Sequence, residues 1–345
     1  MSLQSINPVD GQIIAEYPVM DDAEIQHILH AADQAQQDWR EVPIEKKSLL
    51  MHAVAAQLRQ QVDGHASLMT REMGKPISQS RSEIEKCAWV CDYYADHAAD
   101  FLKPEPISTD ASASYVRFDP LGVILAVMPW NFPYWQVFRF LAPALMSGNA
   151  ALLKHASNVQ GCAQAIARVL QDAGLPKYLF ANLAIGSDQV ETVLQDSLVK
   201  AVTLTGSEAA GRAVAAIAGE SLKKSVLELG GSDPYIVLAD ADIQKAAEAC
   251  VSSRMINSGQ SCIAAKRLIV VESVADEFTE SVVNLMQAKC QGDPQQDDTE
   301  LGPMAREDLR DELHGKAMSS VAQGANIPLG GEVEERPGAW YPATV

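Results

Sequence analysis

Five apolar runs, each about as long as a β-strand, follow one another over residues 123–229 of this chain. Their residues do not alternate with polar ones, and such continuous runs are typical of strands that are covered on both faces. The segments between them are long enough to hold the crossover helices that join parallel strands. The pattern therefore predicts an α/β fold with a doubly wound, Rossmann-type parallel sheet. The runs are Val123 to Val127, Ala150 to Leu153, Leu179 to Ile185, Ala201 to Leu204 and Val226 to Leu229.

The sequence on either side of these runs predicts further elements. Apolar residues recur at helical spacing in the first hundred residues, with Asp21 placed to open the first helix and Gly74 to end the third. Residues 105–120 predict a small hairpin. Strand and helix patterns alternate again after the pair Gly230-Gly231, which predicts a second α/β unit. We therefore expect two domains, residues 1–229 and residues 230–345.

The charge of the chain argues against nucleic acid as a partner. Lys and Arg number 27 against 45 Asp and Glu, so the formal net charge is -18. A polyanion would be repelled over most of such a surface. The first residues lack the basic and apolar regions of a signal peptide, and no stretch approaches the roughly 18 apolar residues of a membrane span. We expect a cytoplasmic protein that binds neither nucleic acid nor membrane.

A glycine-containing loop follows the fourth apolar run. A loop at the carboxyl end of a strand and the amino end of a helix presents N–H groups and a positive dipole to phosphate. Gly206 and Gly211 are five residues apart, however, which differs from the usual Gly-x-Gly-x-x-Gly spacing. A plain helix cap by Ser207 explains the same residues. The loop alone does not decide between a phosphate site and a cap.

The run Pro129-Trp-Asn-Phe-Pro133 ends the first apolar run with two prolines and one amide side chain. Ligands of open α/β sheets bind at the carboxyl ends of the strands. Asn131 is therefore placed to donate an N–H to a developing oxyanion, an interaction worth about 3 to 4 kcal/mol in other enzymes. The alternative is a turn amide that bonds local backbone.

Cys262 and Glu228 indicate covalent catalysis. Cys262 ends the run Asn257-Ser-Gly-Gln-Ser-Cys262, and Glu228 lies in Leu227-Glu-Leu-Gly-Gly231. A thiol nucleophile with a separate water-activating carboxylate is what such an enzyme needs. Since the thiolate is the reactive form, we expect the turn at Cys262 to begin a helix. Taken singly, Cys262 is also explained as a small buried residue and Glu228 as a solvated charge. The other cysteines are expected to be buried, reduced thiols: Cys87, Cys91, Cys162, Cys250 and Cys290.

These runs, in this order and spacing, resemble the NAD(P)-dependent aldehyde dehydrogenase superfamily. The resemblance extends from Asn7-Pro8 to the last residue. Within the superfamily, Leu153-Lys-His-Ala156 and the run that continues to Pro234 are most similar to bacterial succinate-semialdehyde dehydrogenases. The motifs that carry the resemblance are Pro129 to Pro133, Leu204-Thr-Gly-Ser207, Leu227 to Gly231 and Asn257 to Cys262.

The resemblance implies a fold and a reaction. The fold is aldehyde dehydrogenase-like, with residues 1–229 as a dinucleotide-binding domain carrying an oligomerisation hairpin near 105–120, and residues 230–345 as the catalytic domain. Cys262 would attack the carbon of a small-molecule aldehyde, and Asn131 with the Cys262 backbone N–H would hold the oxyanion. Glu228 would activate the water that hydrolyses the resulting thioester to a carboxylic acid. No metal is implied.

The implied cofactor is NAD or NADP. Lys154 matches the family lysine that meets the adenosine ribose. Three residues later, many NAD-preferring members carry a glutamate that would repel a 2′-phosphate, and Ser157 stands in its place. We therefore predict that NADP is accepted as well as NAD. The other cofactor-binding residues implied by the resemblance are Met128, Pro129, Trp130, Gly186, Thr205, Gly206, Ser207, Leu229 and Gly230.

Arg139 is the candidate for substrate recognition. It follows Asn131 by eight residues and matches an arginine that binds the substrate carboxylate in succinate-semialdehyde dehydrogenases. The second arginine of that pocket is replaced by Ile256. A surface or interdomain salt bridge is the alternative role for Arg139.

Two alternatives to hydrolytic aldehyde oxidation follow from the same residues. The run Tyr341 to Val345 resembles the middle of the family's catalytic domain, so we expect a C-terminally truncated chain, which would form a homodimer or homotetramer when complete. A catalytically silent fragment is then the first alternative. The second is a CoA-acylating aldehyde dehydrogenase, against which Glu228 argues because a water-activating base serves hydrolysis.

Overall fold

Helices fill most of the first hundred residues, as the apolar spacing predicts. A computed structural model describes residues 2–345, and among these no helix is both long and apolar enough to cross a membrane. The predicted helix signals are confirmed. Asp21 caps the first helix in a capping box with Glu24, and Gly74 follows the third in left-handed backbone at φ 77°. The elements are β1 (Ser2–Ile6), β2 (Ile13–Pro18), α1 (Asp22–Arg40), α2 (Ile44–Gln60), α3 (Val62–Met73) and α4 (Ile77–Phe101).

A short antiparallel hairpin lies within residues 105–120. β3 (Glu105–Pro106) pairs with β4 (Tyr115–Val116), and Pro106 stands opposite Tyr115. The pattern of the sequence does not indicate β3, because two residues that include a proline carry no strand signal. Tyr115 and Val116 are exposed, so the hairpin presents apolar side chains to water.

The apolar runs form a parallel sheet, as predicted. Within residues 2–345, five strands pair in parallel, and helices cross over between them. Leu125, Leu152 and Val202 are almost fully buried, and burying each such side chain contributes roughly 1.5 to 3 kcal/mol. The sheet centre is therefore a main source of stability in this part of the chain. The elements are β5 (Val123–Met128), α5 (Trp135–Met146), β6 (Ala150–His155), α6 (Gln160–Asp172), β7 (Phe180–Asn182), α7 (Val190–Gln195), β8 (Val199–Thr205), α8 (Glu208–Glu220) and β9 (Lys224–Glu228).

The order of the strands places a ligand site. The order is β7-β6-β5-β8-β9, so the direction of winding reverses between β5 and β8. Loops at such a switch point separate from each other and leave a crevice at the carboxyl edge of the sheet. The loop after β5 holds Asn131, and the loop after β8 holds Gly206 and Ser207. The topology therefore brings both predicted loops to the same edge.

The prediction of burial on both faces is wrong for the last strand of this sheet. β9 lies at the sheet edge, and Val226 is 54% exposed. Apart from Glu228, the run Val226 to Leu229 is apolar like the others. An apolar run identifies a strand but does not show what covers it, because the cover comes from distant parts of the chain.

The second α/β unit contains a parallel strand pair. β10 pairs with β11, and the strands pack with two helices around Val237, Val251, Phe278 and Val282. A third helix lies in the acidic C-terminal part, where the sequence indicated none. The elements are β10 (Pro234–Val237), α9 (Ile243–Met255), β11 (Arg267–Val270), α10 (Ala275–Gln287) and α11 (Glu307–Ala322).

Two compact units meet in sequence at Leu229 and Gly230. The first contains residues 1–4, 16–65 and 81–229, and the second contains residues 5–15, 66–80 and 230–345. The two early segments of the second unit, residues 5–15 and 66–80, carry no sequence signal. Hydrogen bonds hold them there: Trp340 donates to the carbonyl of Val9 at 2.9 Å, and the amide of Ile77 donates to the carbonyl of Pro294 at 2.8 Å.

Candidate active site

In the first unit, the residues predicted to bind cofactor gather at the carboxyl ends of the strands. Met128 ends β5, Lys154 is the penultimate residue of β6, and Thr205 and Glu228 end β8 and β9. Thr205 and Glu228 are also direct partners in the β8–β9 register. Because parallel strands bring their carboxyl ends to one edge, residues up to 100 positions apart in sequence meet there. Gly230 and Cys262 belong to the second unit.

The loop that carries Asn131 is held by a buried histidine. His155, at the end of β6, is fully buried, and its Nε2 lies 2.9 Å from the carbonyl oxygen of Pro133. The backbone N–H of Ala156 donates to its Nδ1 at 2.9 Å, which leaves Nε2 as the protonated nitrogen that donates to Pro133. Burial lowers the pKa of His155 to about 4. The neutral imidazole therefore holds the end of this loop in place.

The start of α5, which follows the same loop, is also held by a buried side chain. Glu83 on α4 accepts hydrogen bonds from the backbone N–H groups of Tyr134 and Trp135, both at 2.9 Å. A carboxylate at a helix amino end satisfies N–H groups that have no partner within the helix. Neither His155 nor Glu83 was singled out from the sequence. The signals for His155 were its place at the end of an apolar run and within Leu153-Lys-His-Ala156.

Acid should destabilise the protein through His155. The imidazole has a pKa near 6.5 when unfolded and about 4 when folded, so between these values only the unfolded state binds the proton. Stability is therefore unaffected above pH 6.5 and falls as the pH drops toward 4, by about 2 kcal/mol between pH 7 and pH 5. Urea unfolding at both pH values measures this, and His155→Gln, which does not titrate, should lose that part of the pH dependence. An unchanged pH dependence in His155→Gln, with the exposed His30→Gln as control, would count against the assignment.

The loop after β8 leads directly into a capped helix. Ser207 caps α8 by accepting from the N–H of Ala210 at 3.3 Å, and the Gly206 amide donates to the carbonyl of Glu228 at 3.0 Å. A Cβ on Gly211 would lie 2.6 Å from a methyl carbon of Leu229, so the glycine lets α8 lie this close to the strand end without a shift of the Leu229 side chain. The structure thus provides both the cap and a helix amino end that faces the crevice at the switch point.

Lys154 and Ser157 lie on either side of the end of β6. Lys154 is half-buried, and loss of hydration lowers the pKa of its ammonium group. Ser157 begins a short 3-10 turn and is exposed. Gly186 lies in the loop after β7, where its amide donates to the side chain of Gln189 at 3.1 Å. A desolvated cation beside an exposed hydroxyl is a suitable pair for a phosphate or for ribose hydroxyls.

Arg139 contacts the predicted base. Its NH1 nitrogen lies 3.7 Å from Oε2 of Glu228, and its NH2 nitrogen lies 3.4 Å from Oγ1 of Thr205. All three residues belong to the first unit. The family resemblance implied a substrate-binding role for Arg139, with a salt bridge as the alternative, but it did not indicate Glu228 as a neighbour.

In the second unit, Cys262 follows a turn with unusual backbone. Asn257, Ser258 and Gly259 all have left-handed φ values, at 54°, 53° and 78°, a conformation that costs roughly 1 kcal/mol or more for a residue with a side chain. Hydrogen bonds from distant segments hold it. The Asn257 amide donates to the side chain of Gln79 at 2.7 Å, and the Gly302 amide donates to Oγ of Ser258 at 3.0 Å. The predicted helix start at Cys262 is wrong, because Cys262 lies in a turn between α9 and β11.

Lys266 supplies a positive charge near this turn. Its ammonium group donates to the carbonyl of Cys262 at 2.7 Å and to the carbonyl of Gly231 at 2.6 Å. Burial is the main cause that lowers the pKa of Lys266, and the nearby Arg254 lowers it further. Lys266 therefore holds the backbone of Cys262 and places an ammonium group beside this turn.

Removing this charge should make Cys262 less reactive. In Lys266→Met we expect alkylation of Cys262 by iodoacetamide at pH 7 to slow about fivefold, because reactive cysteines lie in electropositive surroundings. Lys266→Arg should retain most of the rate. Mass spectrometry of the Cys262 peptide over time gives the rate, with the exposed Lys316→Met as the control. Equal rates in Lys266→Met and Lys316→Met would contradict this role.

The remaining cysteines are buried with one exception. Cys87, Cys91, Cys162 and Cys250 are buried, as predicted, whereas Cys290 is exposed and the prediction for it is wrong. Cys290 follows the end of α10, where the chain turns outward. Burial raises the pKa of the Cys91 thiol. Cys262, with intermediate exposure, combines access to solvent with a nearby cation.

Comparisons with known proteins agree with this arrangement. The model of the aldehyde dehydrogenase family matches residues 1–345. The chain is 47% identical over 345 residues to a protein of Synechocystis sp. named probable succinate-semialdehyde dehydrogenase [NADP(+)], covering all of this chain and 76% of that protein. It is also 47% identical over 341 residues to an Escherichia coli K12 protein named succinate semialdehyde dehydrogenase [NAD(P)+] Sad, covering 99% of this chain and 74% of that protein.

A solved structure has the same fold. The crystal structure of succinic semialdehyde dehydrogenase from Streptococcus pyogenes, in complex with NADP+, superposes with a TM-score of 0.97 at 36% identity, covering 99% of this chain and 75% of that one. The predicted family resemblance is therefore confirmed. This chain belongs to the aldehyde dehydrogenase family.

Proposed function

We propose that this protein oxidises succinate semialdehyde to succinate with NADP+ or NAD+, through a thioester on Cys262. The observation that carries the proposal is the environment of Cys262, a solvent-accessible thiol whose backbone carbonyl is 2.7 Å from the ammonium group of Lys266. The names of the relatives at 47% identity support the substrate. The reaction removes two electrons from the aldehyde and adds one oxygen from water.

The first step belongs to the nucleophile. The sulfur of Cys262 forms a bond to the aldehyde carbon, and the carbonyl electron pair moves to oxygen. The family resemblance assigns the resulting oxyanion to the Asn131 amide and the backbone N–H of Cys262. His155 and Glu83 act indirectly, by holding the carboxyl end of the loop that carries Asn131, at Pro133 and Tyr134.

The residues present fit a dinucleotide at the carboxyl edge of the first unit. Three features of this edge support the fit: the close packing of Leu229 against Gly211, the capped amino end of α8 at Ser207, and the desolvated ammonium group of Lys154. When bound there, NAD(P)+ supplies the acceptor for the hydride that leaves the substrate carbon. Lys154 and Ser157 would hold the adenosine ribose or its phosphate. The remaining contacts are proposed for Met128, Pro129, Trp130, Gly186, Thr205, Gly206, Leu229 and Gly230.

The last step is hydrolysis at Glu228. The carboxylate takes a proton from water, the water oxygen attacks the thioester carbon, and the carbon–sulfur bond breaks to release the thiolate of Cys262. Glu228 is at the strand end and half-exposed, so water reaches it. Arg139 is proposed to bind the distal carboxylate of the substrate, since a guanidinium suits that group.

A substrate panel tests the proposal. Formation of NADPH should be faster, by kcat/KM, with succinate semialdehyde than with butanal, an uncharged aldehyde of the same length. We expect at least about a tenfold difference from one carboxylate–guanidinium contact. The absence of NAD(P)H formation with either aldehyde would refute the proposed reaction, and equal kcat/KM values would refute the substrate.

Ser157→Glu should shift the cofactor preference of the protein from NADP+ toward NAD+. A carboxylate at this exposed position would repel a 2′-phosphate and bond the ribose hydroxyls instead. We expect KM for NADP+ to rise about tenfold or more while KM for NAD+ changes little. Steady-state kinetics with both cofactors measure this, with Ser112→Glu on the exposed hairpin as control. Equal changes for both cofactors would mean that position 157 does not face the 2′-phosphate.

A homo-oligomer is also part of the proposal, as is a cytoplasmic location. The apolar side chains that β4 exposes, Tyr115 and Val116, and the open edges of the β3–β4 pair are features of a surface that pairs with another chain. Sedimentation equilibrium would test assembly, and a monomer at micromolar concentration would contradict it.

A further inference from the structure

Arg139 lies close enough to Glu228 to affect whether that carboxylate can activate water. It lies on α5, and its guanidinium reaches across to the last residues of β8 and β9. One nitrogen lies 3.7 Å from Oε2 of Glu228, and another lies 3.4 Å from Oγ1 of Thr205. Oε2 of Glu228 therefore faces a guanidinium, although the side chain as a whole is 55% exposed to water. While this pair persists, Oε2 is engaged by Arg139 and only Oε1 is left to accept a proton from water.

The pair is loose enough to exchange. A strong charge-assisted hydrogen bond is about 2.7 to 2.9 Å long, and both contacts of Arg139 are longer than that. The side chains of Arg139 and Glu228 are 39% and 55% exposed, and exposed ion pairs contribute only about 0 to 1 kcal/mol. A second carboxylate would therefore compete successfully for Arg139.

The surroundings of Arg139 favour such an exchange. A cavity of about 490 Å³ lies along β9, and its lining includes Lys224 at the start of the strand, Glu228 at its end, Arg139 and Gln136. Lys224 begins β9 and Glu228 ends it, so the two lie roughly 13 Å apart along the strand. Among the residues that line this cavity, Arg139 is the cation at the carboxyl end of β9. Gln136 is 4% exposed, and within residues 2–345 its Oε1 has no hydrogen-bond partner. This buried acceptor, one helical turn before Arg139, is suited to hold the guanidinium after it leaves Glu228.

We propose that Arg139 is shared between Glu228 and the carboxylate of the substrate, so that an anionic substrate releases the base that hydrolyses its own thioester. The inference rests on the proposed function and adds a role beyond recognition. An uncharged aldehyde leaves Arg139 on Glu228, and its acyl-enzyme is hydrolysed slowly. The covalent chemistry is the same in both cases, and only the availability of Glu228 differs.

The proposal predicts opposite effects of one substitution on two substrates. In Arg139→Met, Glu228 loses its ion-pair partner and is free to activate water. The acyl-enzyme formed from butanal should therefore be hydrolysed at least threefold faster than in the unmodified protein. The acyl-enzyme formed from succinate semialdehyde should be hydrolysed no faster, and KM for that substrate should rise. A residue that only supports the fold, or only binds substrate, would not accelerate any step when removed.

Single-turnover experiments measure the step directly. The protein with bound NADP+ is mixed with a limiting amount of either aldehyde, quenched in acid at successive times and examined by intact mass for the acyl adduct. The rate at which the adduct disappears is the hydrolysis rate, whichever step limits turnover. Arg40→Met, which removes an exposed ion pair with Glu41 on α1, is the matched control and should change neither rate.

A second test requires no substitution. Acetate supplies a carboxylate without an aldehyde, so at millimolar concentration it should accelerate hydrolysis of the acyl-enzyme formed from acetaldehyde, a substrate short enough to leave room beside Arg139. The acceleration should be absent in Arg139→Met. Isothermal titration calorimetry of succinate should show weaker binding to Arg139→Met, independently of catalysis.

The outcomes separate this inference from the proposed function. If no adduct and no NADPH form with any aldehyde, the proposed function fails. If adducts form but Arg139→Met leaves butanoyl hydrolysis unchanged or slower, and acetate has no effect on the unmodified protein, the shared role of Arg139 is overturned while the proposed function stands. If Arg139→Met does not fold, the acetate experiment alone decides.

Discussion

Replacing Cys262 by alanine should reduce kcat for succinate semialdehyde by about ten-thousandfold or more, because no sulfur remains to bond the aldehyde carbon. The fold should be unaffected, since the turn is held by backbone and by Gln79, Ser258 and Lys266 rather than by the thiol. Stopped-flow fluorescence of NADPH measures both the burst and the steady state. Neither should be detectable above background.

The matched control for this substitution is Cys290→Ala. Cys290 is also an accessible thiol in the second unit. Its replacement therefore shows what the loss of an exposed cysteine does to activity when the nucleophile is kept. Cys290→Ala should retain nearly full activity. Activity that survives in Cys262→Ala and disappears in Cys290→Ala would show that the nucleophile is Cys290 and not Cys262.

Replacing Glu228 by glutamine should separate the two halves of the reaction. Attack by Cys262 and loss of hydride do not require this carboxylate, so one equivalent of NADPH should form rapidly. Hydrolysis should then slow by about a hundredfold to ten-thousandfold, the usual contribution of a general base. A rapid burst followed by near-zero turnover is the expected trace.

Two results would contradict this role for Glu228. Loss of the burst would place Glu228 in the first half of the reaction, and unchanged turnover would remove it from the mechanism. Glu220→Gln, at the end of α8 and exposed, is the control. If added CoA restored turnover in Glu228→Gln, CoA rather than water would be the natural acceptor of the acyl group.

The central sheet could be predicted from the sequence because its signal is local. A run such as Val123 to Val127 is apolar throughout, and only a strand covered on both faces buries every residue of such a run. The exposure of β9 could not be predicted in the same way. Val226 is as apolar as Val123, and the difference between them depends on what packs against each strand.

The strand-end residues could be predicted, but their contacts could not. Parallel strands bring Thr205 and Glu228 to one edge regardless of side-chain detail. Arg139 reaches Glu228 only through the position of α5 on the sheet, and His155 reaches Pro133 only because the loop folds back. Each of these contacts joins residues more than 20 positions apart, so no local pattern encodes them.

The turn at Cys262 shows where local reasoning failed. A small-residue run before a reactive thiol suggested a helix start, but Asn257 and Gly259 are residues that tolerate left-handed backbone. Gln79, 178 positions away in sequence, then fixes that conformation. The cation beside the turn is Lys266, four residues later, which donates to the carbonyl of Cys262.

The most direct test of the central claim is the intact mass of Glu228→Gln after reaction with succinate semialdehyde and NADP+. Acid quenching during the stalled phase should yield protein heavier by one succinyl group, and a peptide map should place that group on the sulfur of Cys262. Protein that remains unmodified while NADPH forms, or a succinyl group on a different cysteine, would contradict covalent catalysis by Cys262.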